Sequence, residues 1–186
     1  MGRKISTDSA TMINKVYEVI EAKKLFNIDY AKIKILIHPK SYIHAIIKFN
    51  NGLTSIIAHD TTMKVPIFNT LFLESNHKLK TNNINVNILN NLNLDKVSSI
   101  RFPMIRLLKF LPNNHSLFET VIVSANDKLV ELFLENKIKF TDIQKKLFKI
   151  VNKKEFQKFK KKIPKNINDI TNLNDYVRLK IISNSV

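Results

Sequence analysis

Two glycines, Gly2 and Gly52, serve a chain of 186 residues. That scarcity limits what the chain can build more than any other feature. A loop that wraps a pyrophosphate needs several glycines, because its backbone must take positive φ and approach the ligand closely. Neither a G-x-G-x-x-G nor a P-loop pattern can be assembled, so these residues hold no dinucleotide-binding loop of that kind. Cysteine is absent too. Disulfides, thiolate nucleophiles and Cys-based zinc sites are thereby excluded.

The chain is long enough for one sizeable domain, or a domain with a helical appendage. No apolar run approaches the ~18 to 20 residues of a membrane span. The N-terminus lacks a basic-then-apolar signal layout, so secretion is not expected. The formal charge of +16 invites a nucleic-acid reading. However, Arg3, Arg101, Arg106 and Arg178 are the only arginines, and arginine is the better fork for phosphate and base edges. The lysines spread along the chain among many Asn and Ile, as on a solvated basic surface. Nucleic acid is therefore not the expected partner. The dense run KKEFQKFKKKIPK, Lys153 to Lys165, is the candidate footprint if a polyanion does bind.

Periodicity gives an α+β reading. A first helix is expected from about Ala10 to Phe26, with Ser9 as N-cap and Met12, Val16, Val19, Ile20 and Phe26 on one face. Three strands follow: Lys32 to His38, Tyr42 to Phe49 and Leu53 to His59. Asn51-Gly52 suits a two-residue hairpin turn, which would set Ile47 opposite Ile56 and His44 opposite His59. Pro66 to Leu73 reads as a short helix with Pro at its first position. Residues 76–98 read as an irregular connection with at most a short strand. Helices are then expected over Met104 to Leu111, from near Ser124 or Asn126, from Thr141 as N-cap with Ile143, Leu147 and Ile150 inward, and over Ile170 to Ile182. The expected division is a helix with a short mixed or antiparallel sheet over 1–98, then a mainly helical region over 99–186.

The opening stretch MGRKISTDSATMINKVYE is dense in hydroxyls, carboxylates, an amide and cations. A helix N-terminus leaves free N–H groups and favours an anion. Ser9 and Asn14 add donors there, and Lys15 adds a full charge. Glu18 lies three residues after Lys15 and four after Asn14, on the same face. A carboxylate beside a phosphate site repels it unless a divalent cation intervenes. The plainer alternative is a capped helix with an ordinary surface Lys–Glu pair.

MGRKISTDSATMINKVYEVIEAKKLF resembles the catalytic domain of the 1-deoxy-D-xylulose 5-phosphate reductoisomerase family. The resemblance continues through LFNIDYAKIKILIHPKSYIHAIIKFNNG and weakens through MKVPI. It returns at RFPMIRL, at SANDKLVELFLENKIKFTDI and in the helical tail, and it is low between about residues 70 and 98. It implies an oxidoreductase and isomerase of the non-mevalonate isoprenoid pathway. That enzyme rearranges and reduces 1-deoxy-D-xylulose 5-phosphate to 2-C-methyl-D-erythritol 4-phosphate with NADPH and Mg²⁺ or Mn²⁺.

Residue by residue, the resemblance implies that Ser9, Asn14 and Lys15 hold the substrate phosphate and hydroxyls. Glu18 would be a metal ligand, and Lys15 and Glu18 the catalytic pair. His44 would lie near the substrate, or else be a strand histidine satisfied by a neighbour. Gly2 would sit near the nicotinamide, with Met1 in a flap over the site and Met63 under it. His59 and Asp60-Thr61-Thr62 depart from the family pattern, and a His44–His59 metal pair is a minor alternative. The resemblance also implies an N-terminal portion that supplies the cofactor domain and an acidic pair for the metal. The expected partners are thus a phosphorylated sugar, an N-terminal half in cis or in trans, and a second copy in a homodimer. The expected compartment is the bacterial cytoplasm or a plastid. On this reading the chain is a fragment of a longer protein, one product of a split gene, or the product of a decaying gene. It is inactive without an N-terminal half. The rival expectation is a degenerate, non-catalytic basic module that binds a phosphorylated ligand or nucleic acid, or a purely structural helical module.

Overall fold

The computed structural model describes residues 2–72, 77–83 and 85–183. Met1 and Leu73 lie outside the described residues. The chain forms two units: one joins residues 1–35 to 98–186, and the other is Leu36–Val97. The expected cut between 98 and 99 meets one edge of the second unit. Residues up to 35, however, pack with the C-terminal helices, because their apolar stripes find partners there.

In the first unit the opening segment is two helices, not a loop and one helix. They are α1 (Arg3–Thr11) and α2 (Ile13–Phe26). Met12 divides them with φ 62 and ψ 16, a left-handed conformation. Ser9 is thus inside α1 and does not cap a helix, contrary to the sequence expectation. Ser, Thr and Asp favour caps and turns, but here tertiary contacts override that preference. Thr7 donates its hydroxyl to the Arg3 carbonyl at 2.9 Å, and Asp8 is buried against Asn126. Ile13, Val16, Val19 and Ile20 turn inward from α2, whereas Phe26 is exposed.

A short 3₁₀ segment, Tyr30–Lys32, closes this opening part. After the second unit come a 3₁₀ helix (Pro103–Phe110), α5 (Phe118–Leu134), α6 (Phe140–Val151), α7 (Lys154–Gln157), a 3₁₀ turn (Lys158–Lys161) and α8 (Ile167–Ser183). The core lies between them. Phe118, Ile122 and Leu129 of α5 meet Ile143 and Leu147 of α6 and Val177 of α8, all essentially solvent-free. Ile143, Leu147 and Ile150 do point inward as expected. The cap of α6 is Lys139, not Thr141: Asp142 Oδ2 accepts the Lys139 N–H at 3.0 Å. α5 begins at Phe118, several residues before the expected start, because Ser116 and the buried Glu119 close a reciprocal cap.

The second unit holds β1 (Leu36–Ile37), β2 (Ile43–Lys48), β3 (Thr54–Ala58), α3 (Lys64–Leu71), α4 (Val86–Asn90) and β4 (Asp95–Lys96). β1 pairs antiparallel with β4, and β2 pairs antiparallel with β3. The first strand is shorter than expected, and the short helix α4 was not foreseen. The hairpin register also differs by one residue: Ile46 faces Ile56 and Ile47 faces Ser55. Gly52 donates to the Phe49 carbonyl at 3.1 Å with φ +89. The connection is therefore a three-residue loop with Gly in the left-handed position, not a two-residue turn. Both faces of the hairpin stay largely open, and every residue of β3 is exposed. Among the described residues no helix is long and apolar enough to cross a membrane.

Candidate active site at the α1–α2 junction

The junction is built by its backbone. Met12 ends one helix and begins the next: its N–H donates to the Ser9 carbonyl at 3.1 Å, and its carbonyl accepts from Lys15 N–H at 3.2 Å. Ser9 therefore stands in the last turn of α1, and Asn14 and Lys15 stand in the first turn of α2. The junction brings these three into one short arc. It replaces the expected single helix entrance with a helix end followed by a helix start. The N–H-rich start of α2 still favours an anion beside Asn14 and Lys15.

Lys15 Nζ donates to both carboxylate oxygens of Glu18, at 2.9 and 2.8 Å. The side chains are 40% and 53% exposed, so both are open to a ligand. An exposed pair of this spacing contributes only about 0.3–0.5 kcal/mol. A phosphate on Lys15 or a cation on Glu18 can thus separate the two at little cost. Asn14 is half-buried, and its Oδ1 is buried without a hydrogen-bond partner among the described residues.

A buried polar network holds the junction from behind. Asn126 of α5 is fully buried and donates from Nδ2 to Asp8 Oδ1 at 2.8 Å. Lys4 bridges Asp8 and Asp127, at 2.9 Å to each. Burial disfavours the charge on Lys4, but the hydrogen bonds to Asp8 and Asp127 outweigh it and raise the ammonium's pKa. Burial, aided by Asp127 and Asp8, also pushes the Tyr17 phenol well above its ordinary range. The sequence reading missed this network as a feature of the site. Its signal was the polar Asn126-Asp127 pair inside an otherwise apolar helical run.

Gly2 precedes α1 in extended conformation, its carbonyl accepting from Ser6 N–H at 3.1 Å. A Cβ added there would meet nothing within 4 Å, so the folded chain itself does not require glycine at this point. His44 belongs to the second unit. Its Nε2 lies 3.1 Å from the His59 carbonyl, and the two imidazoles stack with centroids 3.6 Å apart and planes 7° from parallel. Ring lone pairs lie in the ring planes, so an ion bound by one histidine lies off the plane of the other. Stacking thus disfavours a shared metal. Met63 stands exposed just ahead of α3.

Among the described residues no three or more His, Asp or Glu gather to hold a metal ion. Magnesium asks for near-octahedral oxygen ligands, and Glu18 offers one carboxylate. These residues do not make a magnesium site by themselves, nor do they form a dinucleotide cradle. In the basic run, Lys160 lies over Phe110 and Phe118, and Lys158 and Lys162 lie over Phe159. Those lysines cover aromatic surface within the unit.

The model of the DXP reductoisomerase C-terminal domain matches residues 60–180, and that of the 1-deoxy-D-xylulose 5-phosphate reductoisomerase C-terminal domain matches residues 1–26. The chain belongs to the 1-deoxy-D-xylulose 5-phosphate reductoisomerase family. The reductoisomerase of Pelagibacter ubique is 62% identical over 186 residues, covering 100% of this chain and 48% of that relative. That of a Sulfurihydrogenibium species is 37% identical over 158 residues, covering 85% and 42%. The chain thus spans about half the length of the curated relatives it matches. Among solved reductoisomerases, one with fosmidomycin and magnesium matches at TM-score 0.87 and 27% identity, over 100% of this chain and 47% of that one. The Zymomonas mobilis enzyme in complex with NADPH matches at TM-score 0.82 and 28% identity, over 98% and 47%. The region of lower expected similarity, about 70–98, falls almost wholly inside the second unit.

Proposed function

We propose that this chain is the substrate-side and C-terminal portion of a 1-deoxy-D-xylulose 5-phosphate reductoisomerase, working with an N-terminal half supplied in cis or in trans. The observation that carries this reading is the open Lys15–Glu18 pair at the head of α2, next to Ser9, in a chain of this family. Lys15 neutralises the substrate phosphate, with the N–H groups at the start of α2 beside it. Ser9 Oγ–H and the Asn14 amide N–H donate to the phosphate, or bond the sugar hydroxyls. With Lys15 turned to the phosphate, Glu18 would be able to serve as one ligand for Mg²⁺ or Mn²⁺. The other ligands, and the dinucleotide cradle, would come from the N-terminal half. The metal, when bound, polarises substrate oxygens, and NADPH supplies hydride. Gly2 would leave room near the nicotinamide, since its surroundings are open. By the family resemblance, His44 would be a further substrate-binding residue. The complete enzyme would be a homodimer in the cytoplasm.

The test is reconstitution. The isolated chain should oxidise no NADPH with 1-deoxy-D-xylulose 5-phosphate, and adding the N-terminal half of the Pelagibacter ubique enzyme should restore turnover. In the restored enzyme, Glu18→Gln should lower kcat on the order of 100-fold or more, because a metal ligand is lost. A near-normal rate would remove Glu18 from the metal site. Failure of any combination to turn over, with both halves folded and associated, would overturn the catalytic reading.

A further inference from the structure

α1 and α2 are held in the fold by different means. α2 buries Ile13, Val16, Val19 and Ile20, so the core fixes it, and with it Asn14, Lys15 and Glu18. α1 buries Thr7 and Asp8 and no apolar residue. Thr7 donates its hydroxyl within the helix, to the Arg3 carbonyl. The polar ties of α1 to α5 are Asp8 with Asn126 at 2.8 Å and Lys4 with Asp127 at 2.9 Å. The second has the Lys4 side chain 47% exposed, and an exposed pair is worth little. The first lies inside, with Asn126 fully buried and Asp8 nearly so.

A helix of 9 residues is marginal on its own. Met12 joins it to α2 in a left-handed conformation, and no side chain caps the start of α2. The continuous hydrogen-bond ladder of one straight helix is interrupted there, so the direction of α1 depends on what α1 docks against. A buried charged group is a poor way to gain stability, since apolar residues of similar volume often do as well or better. It is a good way to set position, because its hydrogen bond is satisfied only over a narrow range of distance and angle. Asp8 immediately precedes Ser9, so the bond that locates Asp8 also locates Ser9. The Tyr17 hydroxyl of α2 lies beside Asn126 as well, but four buried apolar residues hold α2 besides.

We propose that Asn126 is a positioning residue: by bonding Asp8 it docks α1 on α5 and fixes where Ser9 stands relative to Asn14 and Lys15. This rests on the reductoisomerase reading above, in which Ser9 meets the substrate. The test is a pair of double-mutant cycles in the enzyme reconstituted with the N-terminal half, with KM for 1-deoxy-D-xylulose 5-phosphate read apart from kcat. Ser9→Ala alone should raise KM roughly 10-fold and leave kcat within about 2-fold. Asn126→Ala should raise KM to a similar level, and adding Ser9→Ala to it should cost less than about 2-fold more, because a misplaced hydroxyl has little left to lose. Lys15→Gln should cost the same factor with and without Asn126, since the core holds α2. A general loosening of the fold would instead act on both cycles alike. All variants are compared at a temperature where circular dichroism shows wild-type helix content. The reciprocal pair Asp8→Asn with Asn126→Asp keeps a donor facing an acceptor and carries the test if Asn126→Ala does not fold. It should hold KM within about 3-fold of wild type and restore the full cost of Ser9→Ala. An equal cost of Ser9→Ala with and without Asn126 would overturn the proposal. So would equal coupling of Asn126 to Lys15, or a reciprocal pair that folds but leaves Ser9→Ala without effect. No turnover from the wild-type halves, or no effect of Ser9→Ala in the wild-type background, would strike the underlying reading, and the proposal would fall with it.

Discussion

Asp8 is a carboxylate taken out of water and held by two groups. Asn126 donates to one oxygen and Lys4 pairs with the other. Removing a donor from a buried charge costs more than the bond's net worth, since the desolvated oxygen keeps no replacement. Asn126→Ala should therefore destabilise the protein by about 2–3 kcal/mol in a urea melt, although Asn126 is far from Ser9 in sequence. A second electrostatic device lies where α5 meets α8. Lys128, and then Arg178, hydrogen-bond Glu131 and hold its carboxyl below the usual carboxylate range. A depressed folded pKa contributes stability that is fully present above the ordinary glutamate value of 4.5 and lost as pH falls through the lower folded value. Glu131→Gln should accordingly lower Tm by a degree or two near neutrality. The gap to wild type should close in acid, which thermal melts across pH will show. Of these features, only the Lys15–Glu18 pair was legible in the sequence, because three-residue spacing on a helix fixes a shared face. Asp8 falls before the expected helix start at Ala10: its preference for turns is a local property, and its partner lies 118 positions away.

At the scale of elements, the α1–α2 junction turns on one residue. Met12 holds φ 62, a region where a side chain costs roughly 1–2 kcal/mol and a β-branched one more. Met12→Gly should leave stability within about 1 kcal/mol of wild type, since relief of strain offsets the added chain entropy. Met12→Ile should lose more than about 1 kcal/mol and loosen the arc that carries Ser9, Asn14 and Lys15. Parallel urea melts of the two variants check the difference, and equal stability would mean that the left-handed turn is not strained. The expected helix through ATMINK gave no warning of this break, because neither Gly nor Pro marks it. The start of α5 follows the hydrogen-bonded Ser116–Glu119 pair, which the reading from Ser124 or Asn126 overlooked. In the hairpin, Asn-Gly signalled the turn correctly. The register slipped because Gly52 serves as the left-handed third residue of a longer loop. The inward stripe of α6, Ile143, Leu147 and Ile150, was legible, since apolar spacing alone sets it.

The two units differ in how much core they own, and that difference bears on the whole molecule. The first buries Phe118, Ile122, Leu129, Leu147 and Val177 almost completely. Among the described residues of Leu36–Val97, Tyr42 alone is buried, at 7% exposure. Ile46, Ile47, Phe49, Leu53, Ile56 and Ile57 remain between 39% and 65% exposed on the hairpin and its loop. A two-stranded ribbon with no covered face is marginal in water, and local opening is easiest where few apolar contacts oppose it. The relatives carry about as much additional chain as is present here, since this chain covers 48% of the Pelagibacter ubique protein. Hydrogen exchange on the isolated chain should show β2 and β3 amides exchanging orders of magnitude faster than those in the middle of α5 and α8. Adding the N-terminal half used for reconstitution should slow Ile46, Ile47, Ile56 and Ile57 selectively while leaving α5 unchanged. If β2 and β3 are as protected as α5 in the isolated chain, the second unit is self-sufficient. The exposed apolar hairpin would then give no reason to expect the N-terminal half to cover it.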